Sequence, residues 1–253
     1  MSDIVYETNA GIATISMARG KANALNAAMV DEMHHALDTA AADAQVRAVI
    51  LTSNRPNFFS AGFDVREVFG YDRGKMGAYL ASYGALTHKL HHLPKPVVAS
   101  IPGHTFAGGA ILALACDFRI MAQGDFGFAL NEINVGVILP PGVFRLLADV
   151  VGSGYARRMV LTGESVPPAR ALAMGLVDEI SAPEELGART LALARSLADK
   201  PGPTYAGIKA TIRKATGHDS CDGGALLAPA VEPWFTPEAE QKKKAMLAAL
   251  NKS

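Results

Sequence analysis

The sequence predicts an α/β domain followed by a helical appendage, and three observations carry the prediction. Short β-branched segments alternate with amphipathic stretches through the first half. After Gly142 the pattern turns mostly helical, and no low-complexity linker divides the halves. The chain has 253 residues, 49% hydrophobic and 19% charged, which is enough apolar surface to close one substantial core.

The elements follow in order. Residues 12–17, 46–52, 97–101 and 118–121 are short, β-branched and read as strands. Between the first two, residues 26–41 repeat Met29, Met33 and Leu37 every four positions on one helical face. Between the second and third, Met76, Tyr79, Leu80, Tyr83, Leu86, Leu90 and Leu93 make another stripe, which Pro94 and Pro96 stop. The second half predicts helices over 144–151, 155–162, 168–174, 183–200, 204–215 and 236–251. Pro168 suits a first helical position, Gly163 and Gly175 suit C-terminal caps, and Thr236-Pro237-Glu238 reads as a helix start. The expected division is an α/β core over 1–195 and a helical region over 196–253. The last helix carries Lys242, Lys243 and Lys244 beside Met246, Leu247 and Leu250. These read as a solvated face beside a packing stripe. A lysine meeting a phosphate, or a helix reaching across to a second subunit, fits the same residues.

With 24 basic and 24 acidic residues the chain has no global attraction for nucleic acid or an anionic membrane. Any anionic ligand must be held by local groups. Cys116 and Cys221 form neither a disulfide framework nor a CxxC pair, which favours a reducing compartment. The start, MSDIVYETNAG, lacks a secretory pattern, and no apolar run reaches the ~18–20 residues needed to cross a bilayer. A soluble, cytoplasmic protein is expected.

Three stretches carry chemistry. In the first, a strand leads through Ser60-Ala61-Gly62-Phe63 into a helix whose N-cap is Asp64, with Glu67 at capping-box spacing. Small residues at 60–62 allow a ligand close to the backbone, and Gly62 can take a positive φ that turns the Phe63 N–H outward. In the second, strand 97–101 runs through a small-residue turn into an apolar helix starting near Gly108-Gly109. First-turn N–H groups lack internal partners and carry partial positive charge, so an incoming oxygen can meet them there. Each turn alone also reads as an ordinary strand–helix connection with glycine for close packing. Two such turns suggest a pair of donors for one developing oxyanion, where each is typically worth ~2.7–4 kcal/mol of transition-state stabilisation. The third stretch holds Glu132, the only acid between Asp125 and Asp149, among Phe128, Leu130, Ile133 and Val135. Turned inward it would be poorly solvated, with its pKa raised toward that of a general base; turned outward it would simply face water.

Together these stretches resemble the crotonase family, also called the enoyl-CoA hydratase/isomerase family. The resemblance spans nearly the whole chain: KANALN at 21–26, FSAGFD at 59–64, GHTFAGGAILALACD at 103–117, NEINVGVILPPG at 131–142 and LTGESVPPARALAMGLVDEI at 161–180. Five motifs in the right order are far more specific than any one. The resemblance implies a crotonase-like spiral of β–β–α turns with a C-terminal helical region that assembles trimers, often paired into hexamers. It implies an acyl-CoA thioester substrate, an oxyanion hole from the N–H groups of Phe63 and Gly108, and Glu132 as catalytic acid/base. The backbone around Ala22, Ala24 and Ala61 would border the adenine end of coenzyme A. Ser60, Gly62, Asp64, Gly109 and Leu139 complete the expected substrate contacts. No metal or redox cofactor is implied, since coenzyme A arrives with the substrate. The acyl pocket is expected to be walled by 65–85, with Phe69, Tyr71, Tyr79 and Tyr83, and by Leu139, Pro140 and Phe144.

One departure directs the reading. Hydratases of the family generally carry a second glutamate on the helix after the glycine turn, and that position is Ile111 here. Hydration benefits from two groups on the water, whereas moving a proton along the acyl chain needs one base. The sequence therefore resembles the Δ3-Δ2-enoyl-CoA isomerases of the family more than its hydratases. The alternatives are a hydratase or another crotonase reaction using Glu132 alone, and, from another class, a non-catalytic acyl-CoA-binding protein.

Other chemistries lack their patterns. Of His88, His91 and His92 on one predicted helix, positions 88 and 92 could face one way like metal ligands, but there is no HExxH and no third ligand at recognisable spacing. Gly152-Ser153-Gly154 is not a GxSxG elbow. The glycines of 103–109 are not spaced as a dinucleotide-binding fingerprint. His104, beside the second turn, reads as structural.

Overall fold

The computed structural model describes residues 2–218 and 227–250, so Cys221 and the expected helix end at 251 lie outside the described residues. Six strands form the larger sheet in the order β1 (Ile4–Asn9), β2 (Ile12–Met17), β3 (Ala48–Ser53), β5 (Val97–Ile101), β7 (Phe118–Ala122) and β9 (Glu179–Ser181). Only β1 and β2 pair antiparallel. The rest run parallel, with Ile15 opposite Leu51 and Leu51 opposite Ala99. A second, three-stranded parallel sheet is made by β4 (Phe58–Ser60), β6 (His104–Phe106) and β8 (Phe128–Ala129).

This arrangement is a spiral. Each turn contributes one strand to the large sheet, the next to the small sheet, and then helix. β3 and β4 lead to α2 (Val65–Val68) and α3 (Arg73–His92). β5 and β6 lead to α4 (Gly108–Leu114). β7 and β8 lead to a 3-10 turn, Glu132–Val135, and α5 (Pro141–Thr162). The sequence dictates the burial. Central strands covered on both faces read as continuous apolar runs, and alternate residues serve different cores. Ala13, Ile15, Val49, Leu51, Val97, Ala99 and Met121 face the interior of the spiral with α1 (Ala27–Ala42), α3 and α4. Ile12, Ile50, Val98 and Ile120 face outward beneath α7 (Leu186–Ala198).

Asn26 caps α1 by accepting the Met29 N–H, Pro168 starts α6 (Pro168–Ala173), and Gly163 ends α5 with φ 60°. The expected helices over 144–151 and 155–162 are one element broken at Gly152, where φ is 76°. β1 and the short strands of the small sheet were not expected, whereas β9 ends the helix-turn-strand region that the resemblance implies over 161–180. The unexpected strands are edge or very short elements that give periodicity nothing to repeat. The expected boundary after residue 195 falls in the last turn of α7, which stays packed on the sheet through Ala198. Beyond it lie α8 (Gly202–Ala215), two 3-10 turns, Ala228–Ala230 and Pro233–Phe235, and α9 (Pro237–Leu250). Among the described residues no helix is long and apolar enough to cross a membrane.

Candidate active site

The first turn is built by interlocking backbone bonds. Asn23 is fully buried with φ 48°, and its side-chain amide donates to Ser53 Oγ at 2.6 Å and to the Phe59 carbonyl at 3.0 Å. That pins loop 20–25 against the end of β4. Ala61 N–H then donates to the Ala22 carbonyl, Leu25 N–H to the Gly62 carbonyl and Asp64 N–H to the Leu25 carbonyl, each at 2.8 Å. The Gly62 N–H donates to Ser60 Oγ at 3.1 Å. Gly62 has φ 89°, which glycine adopts without steric cost. Every amide of this turn except that of Phe63 is thereby used, and Phe63 N–H has no acceptor among the described residues.

The second turn leaves a matching amide. Ala107 donates to the Ala129 carbonyl at 2.9 Å and adopts φ 46°, ψ −119°, a strained conformation for a residue with a Cβ. α4 starts directly after it, and Gly108 N–H likewise has no acceptor among the described residues. The two turns touch. A Cβ on Gly62 would lie 3.2 Å from the Gly108 nitrogen, and one on Gly108 would lie 2.9 Å from the Phe63 ring. A Cβ on Gly109 would lie 2.6 Å from Ser60. Close packing and donor exposure therefore hold together in the same turns.

Glu132 opens the 3-10 turn that Gly136 closes with φ 71°. The residue as a whole is half-buried, but its carboxyl oxygen Oε2 is shielded from solvent and has no hydrogen-bond partner. Burial pushes the carboxyl up to about 7. Glu132, Phe63, Gly108, Ala61 and Leu139 line one cavity of about 100 Å³. Ile111, the fourth residue of α4, also lines it. Among the described lining residues Glu132 is the one titratable side chain, and Asn131 the one other polar chain-end on an otherwise apolar wall, the Trp234 indole apart.

The remaining expected site residues sit around this centre. Ser60 is fully buried, donating to the Asn23 carbonyl at 2.7 Å, and like Gly62 and Gly109 it builds the turns without lining the cavity. Asp64 caps α2 through the Arg66 N–H at 3.2 Å and pairs with Arg19 at 2.7 Å. The Ala22 and Ala24 carbonyls accept from Ala61 N–H and, at 2.7 Å, from Arg19 Nη1. Both residues lie beside Ala61 outside the cavity. Of the expected acyl wall, Val65, Phe69, Leu80, Leu139 and Pro140 line the cavity. Tyr79 and Tyr83 stand behind, edge-on to the Phe63 ring, with hydroxyls donating to the Leu25 and Gly108 carbonyls. Tyr71 and Phe144 are packed elsewhere in the core.

Sequence reasoning missed the wall made by Leu227, Ala230, Trp234 and Met246. The available signal was the chain's single tryptophan, set between prolines ahead of the last helix. α9 itself packs on its own chain, against the 3-10 turn of Glu132 and α2. Lys242 and Lys244 are exposed, but Lys243 is buried and does not belong to a solvated face. His104 Nδ1 accepts the Gly127 N–H at 3.1 Å among three phenylalanine rings, a structural placement. His88 and His92 stack at 3.7 Å between centroids.

Comparison with known proteins adds the following. The family model described as "Enoyl-CoA hydratase/isomerase" matches residues 7–226. Mitochondrial enoyl-CoA delta isomerase 1 of Rattus norvegicus is 31% identical over 211 residues, 83% of this chain and 73% of that protein. A probable enoyl-CoA hydratase of Rhizobium meliloti is 30% identical over 251 residues, 99% of this chain and 96% of that protein. The crystal structure of human mitochondrial delta3-delta2-enoyl-CoA isomerase superposes with a TM-score of 0.94 at 28% identity, covering 99% of this chain and 98% of that one.

Proposed function

Since the chain belongs to the enoyl-CoA hydratase/isomerase family, we propose that it isomerises a 3-enoyl-CoA to the trans-2-enoyl-CoA with Glu132 as the single proton shuttle. The Glu132 carboxylate takes a proton from C2 of the acyl chain. The C2–H electron pair moves into the C1–C2 bond, and the thioester carbonyl electrons move onto oxygen, where the Phe63 and Gly108 amides receive the charge. The resulting dienolate then collapses: the carbonyl re-forms, the C1–C2 pair becomes the C2–C3 double bond, and the C3–C4 pair takes the proton back from Glu132 at C4. Nothing is consumed beyond the substrate. The scheme uses no metal or redox cofactor, and coenzyme A enters as part of the thioester.

The observation that carries this reading is a cavity whose described lining holds one titratable side chain, shielded and raised to about 7, together with two residues whose amides have no acceptor among the described residues. A base at that pKa is poised to take and return a proton near neutral pH. Glu132→Gln should abolish turnover of 3-enoyl-CoA while leaving binding of the thioester largely intact; full turnover in the variant would refute the assignment.

A second reading is hydration, favoured by one observation: Asn131 places an amide in the same cavity, next to Glu132, where a water could be held. Loss of the conjugated chromophore of crotonyl-CoA on incubation would support it. A non-catalytic acyl-CoA binder would leave the α-protons of an enoyl-CoA unexchanged in heavy water. For assembly, the reading is a homotrimer or a pair of trimers, supported by Ile208 and Ile212, one turn apart on α8 and more than half exposed. Light scattering after gel filtration tests it. A cytoplasmic location goes with this reading and is tested by fractionation.

A further inference from the structure

The wall opposite the known motifs is unusual in how it is held. Trp234 is 4% exposed and packs edge-on against Phe69, with centroids 5.6 Å apart. Lys243 on α9 is 2% exposed, and its ammonium lies 5.5 Å from the Trp234 ring, 5.8 Å from Phe69 and 5.3 Å from Phe235. Its carboxylate partner is Glu240, one turn earlier. Removing an ammonium from water is costly unless a counter-charge and polarisable faces replace the water. Here one carboxylate and three rings do so, which ties α9 to Trp234 and to Phe69 at the cavity. An aromatic side chain held on several sides cannot swing aside cheaply, because closely packed neighbours resist even one added methylene.

We propose, on the acyl-CoA reading above, that Trp234 is the chain-length stop of the acyl pocket, with Lys243 as the residue that positions it, and that the substrates are short-chain thioesters. The space agrees. The cavity is small, about 100 Å³, and Trp234 and Met246 are part of its lining. A short acyl chain fits beside the reacting carbons, and a long one would run into Trp234 and Met246.

Calorimetric titration of the full chain with hexanoyl-, octanoyl-, decanoyl- and dodecanoyl-CoA tests this without depending on turnover. The unmodified protein should bind hexanoyl-CoA best and dodecanoyl-CoA about tenfold or more weaker, the scale expected for forcing extra methylenes into packed space. Trp234→Ala should reverse that order. Lys243→Met, which keeps the stem and removes the charge, should narrow the ratio between the two ligands; a merely structural lysine would weaken both alike. If Trp234→Ala does not fold, the series on the unmodified protein and on Met246→Ala decides. Equal or rising affinity along the series in the unmodified protein overturns the stop while leaving the acyl-CoA reading in place. Failure to bind any of the four overturns both.

Discussion

Replacing Glu132 with Gln should make the protein inactive and, above neutral pH, more stable. The sign follows from burial. Its folded-state pKa of about 7 stands above the unfolded value of 4.5, so the folded state disfavours the carboxylate. Relative to the unfolded chain, Glu132 costs little below pH 4.5, where both states are protonated. The cost grows between the two pKa values and levels off above about 7. At about 1.36 kcal/mol per pKa unit, the full penalty is about 3 kcal/mol. The glutamine variant carries no such charge and should gain most of that at pH 8, but under about 1 kcal/mol at pH 5. For a chain of this length 1 kcal/mol moves the melting temperature by about 2–4 °C, so the gain at pH 8 is readable by calorimetry. The activity of the unmodified enzyme should follow the same ionisation, with kcat/KM rising about tenfold per pH unit up to about 7 and flat beyond. Equal stability of the two proteins at both pH values, or a kcat/KM limb near 4.5, would refute the claim that the carboxyl is desolvated.

Three further outcomes rest on the turns. Gly108→Ala should lower kcat by about 10²–10³ with a smaller change in KM, because its Cβ would lie 2.9 Å from the Phe63 ring and push apart the two amides proposed to share the oxyanion; steady-state kinetics on a 3-enoyl-CoA checks it. Ala107→Gly should raise unfolding free energy by about 1 kcal/mol in urea titrations, since glycine accepts φ 46° without the Cβ clash. Ile111→Glu should introduce or raise hydration of crotonyl-CoA and shift the acidic limb of the pH profile upward, because a second carboxylate in the same apolar cavity disfavours ionisation of Glu132; both effects are read spectrophotometrically.

How much of this was legible beforehand depended on how local the signal was. That Glu132, Phe63 and Gly108 would meet at one cavity was legible because each sits in a contiguous motif, and the presence of Ile111 there because it occupies a fixed offset from the glycines. The strands over 12–17 and 97–101 were visible as short, β-branched, mostly apolar runs because those residues are covered on both faces. Ser60 and Asp64 sit in the same motif, yet the hydroxyl of one and the carboxylate of the other are taken up in hydrogen bonds and a pair with Arg19. A motif gives neighbours in sequence and does not say which of them faces the ligand. The distal wall was illegible for a different reason. Trp234 and Met246 reach the cavity only because α9 folds back across the 3-10 turn of Glu132, a contact more than 100 residues away in sequence. Lys243 was misread from its neighbours: among three consecutive lysines the sequence offers no cue that the middle one turns inward.

The apolar wall links the two halves of the chemistry. On the proposed mechanism, the same burial that raises Glu132 would make each amide–oxyanion bond stronger than in solvent, since the interaction scales inversely with the local dielectric. Opening the cavity by removing Trp234 or displacing α9 would admit water, lower the Glu132 pKa toward its ordinary value and weaken the hole together. The base would then be ionised at lower pH but less able to capture the α-proton, so a wider pH range would come with a lower plateau. On the isomerase reading Ile111 works in the same direction: it puts an apolar side chain in the cavity where a second acid could hold a water, so that Asn131 and Glu132 are the polar side chains left to do so and return of the proton to the acyl chain is favoured over hydration.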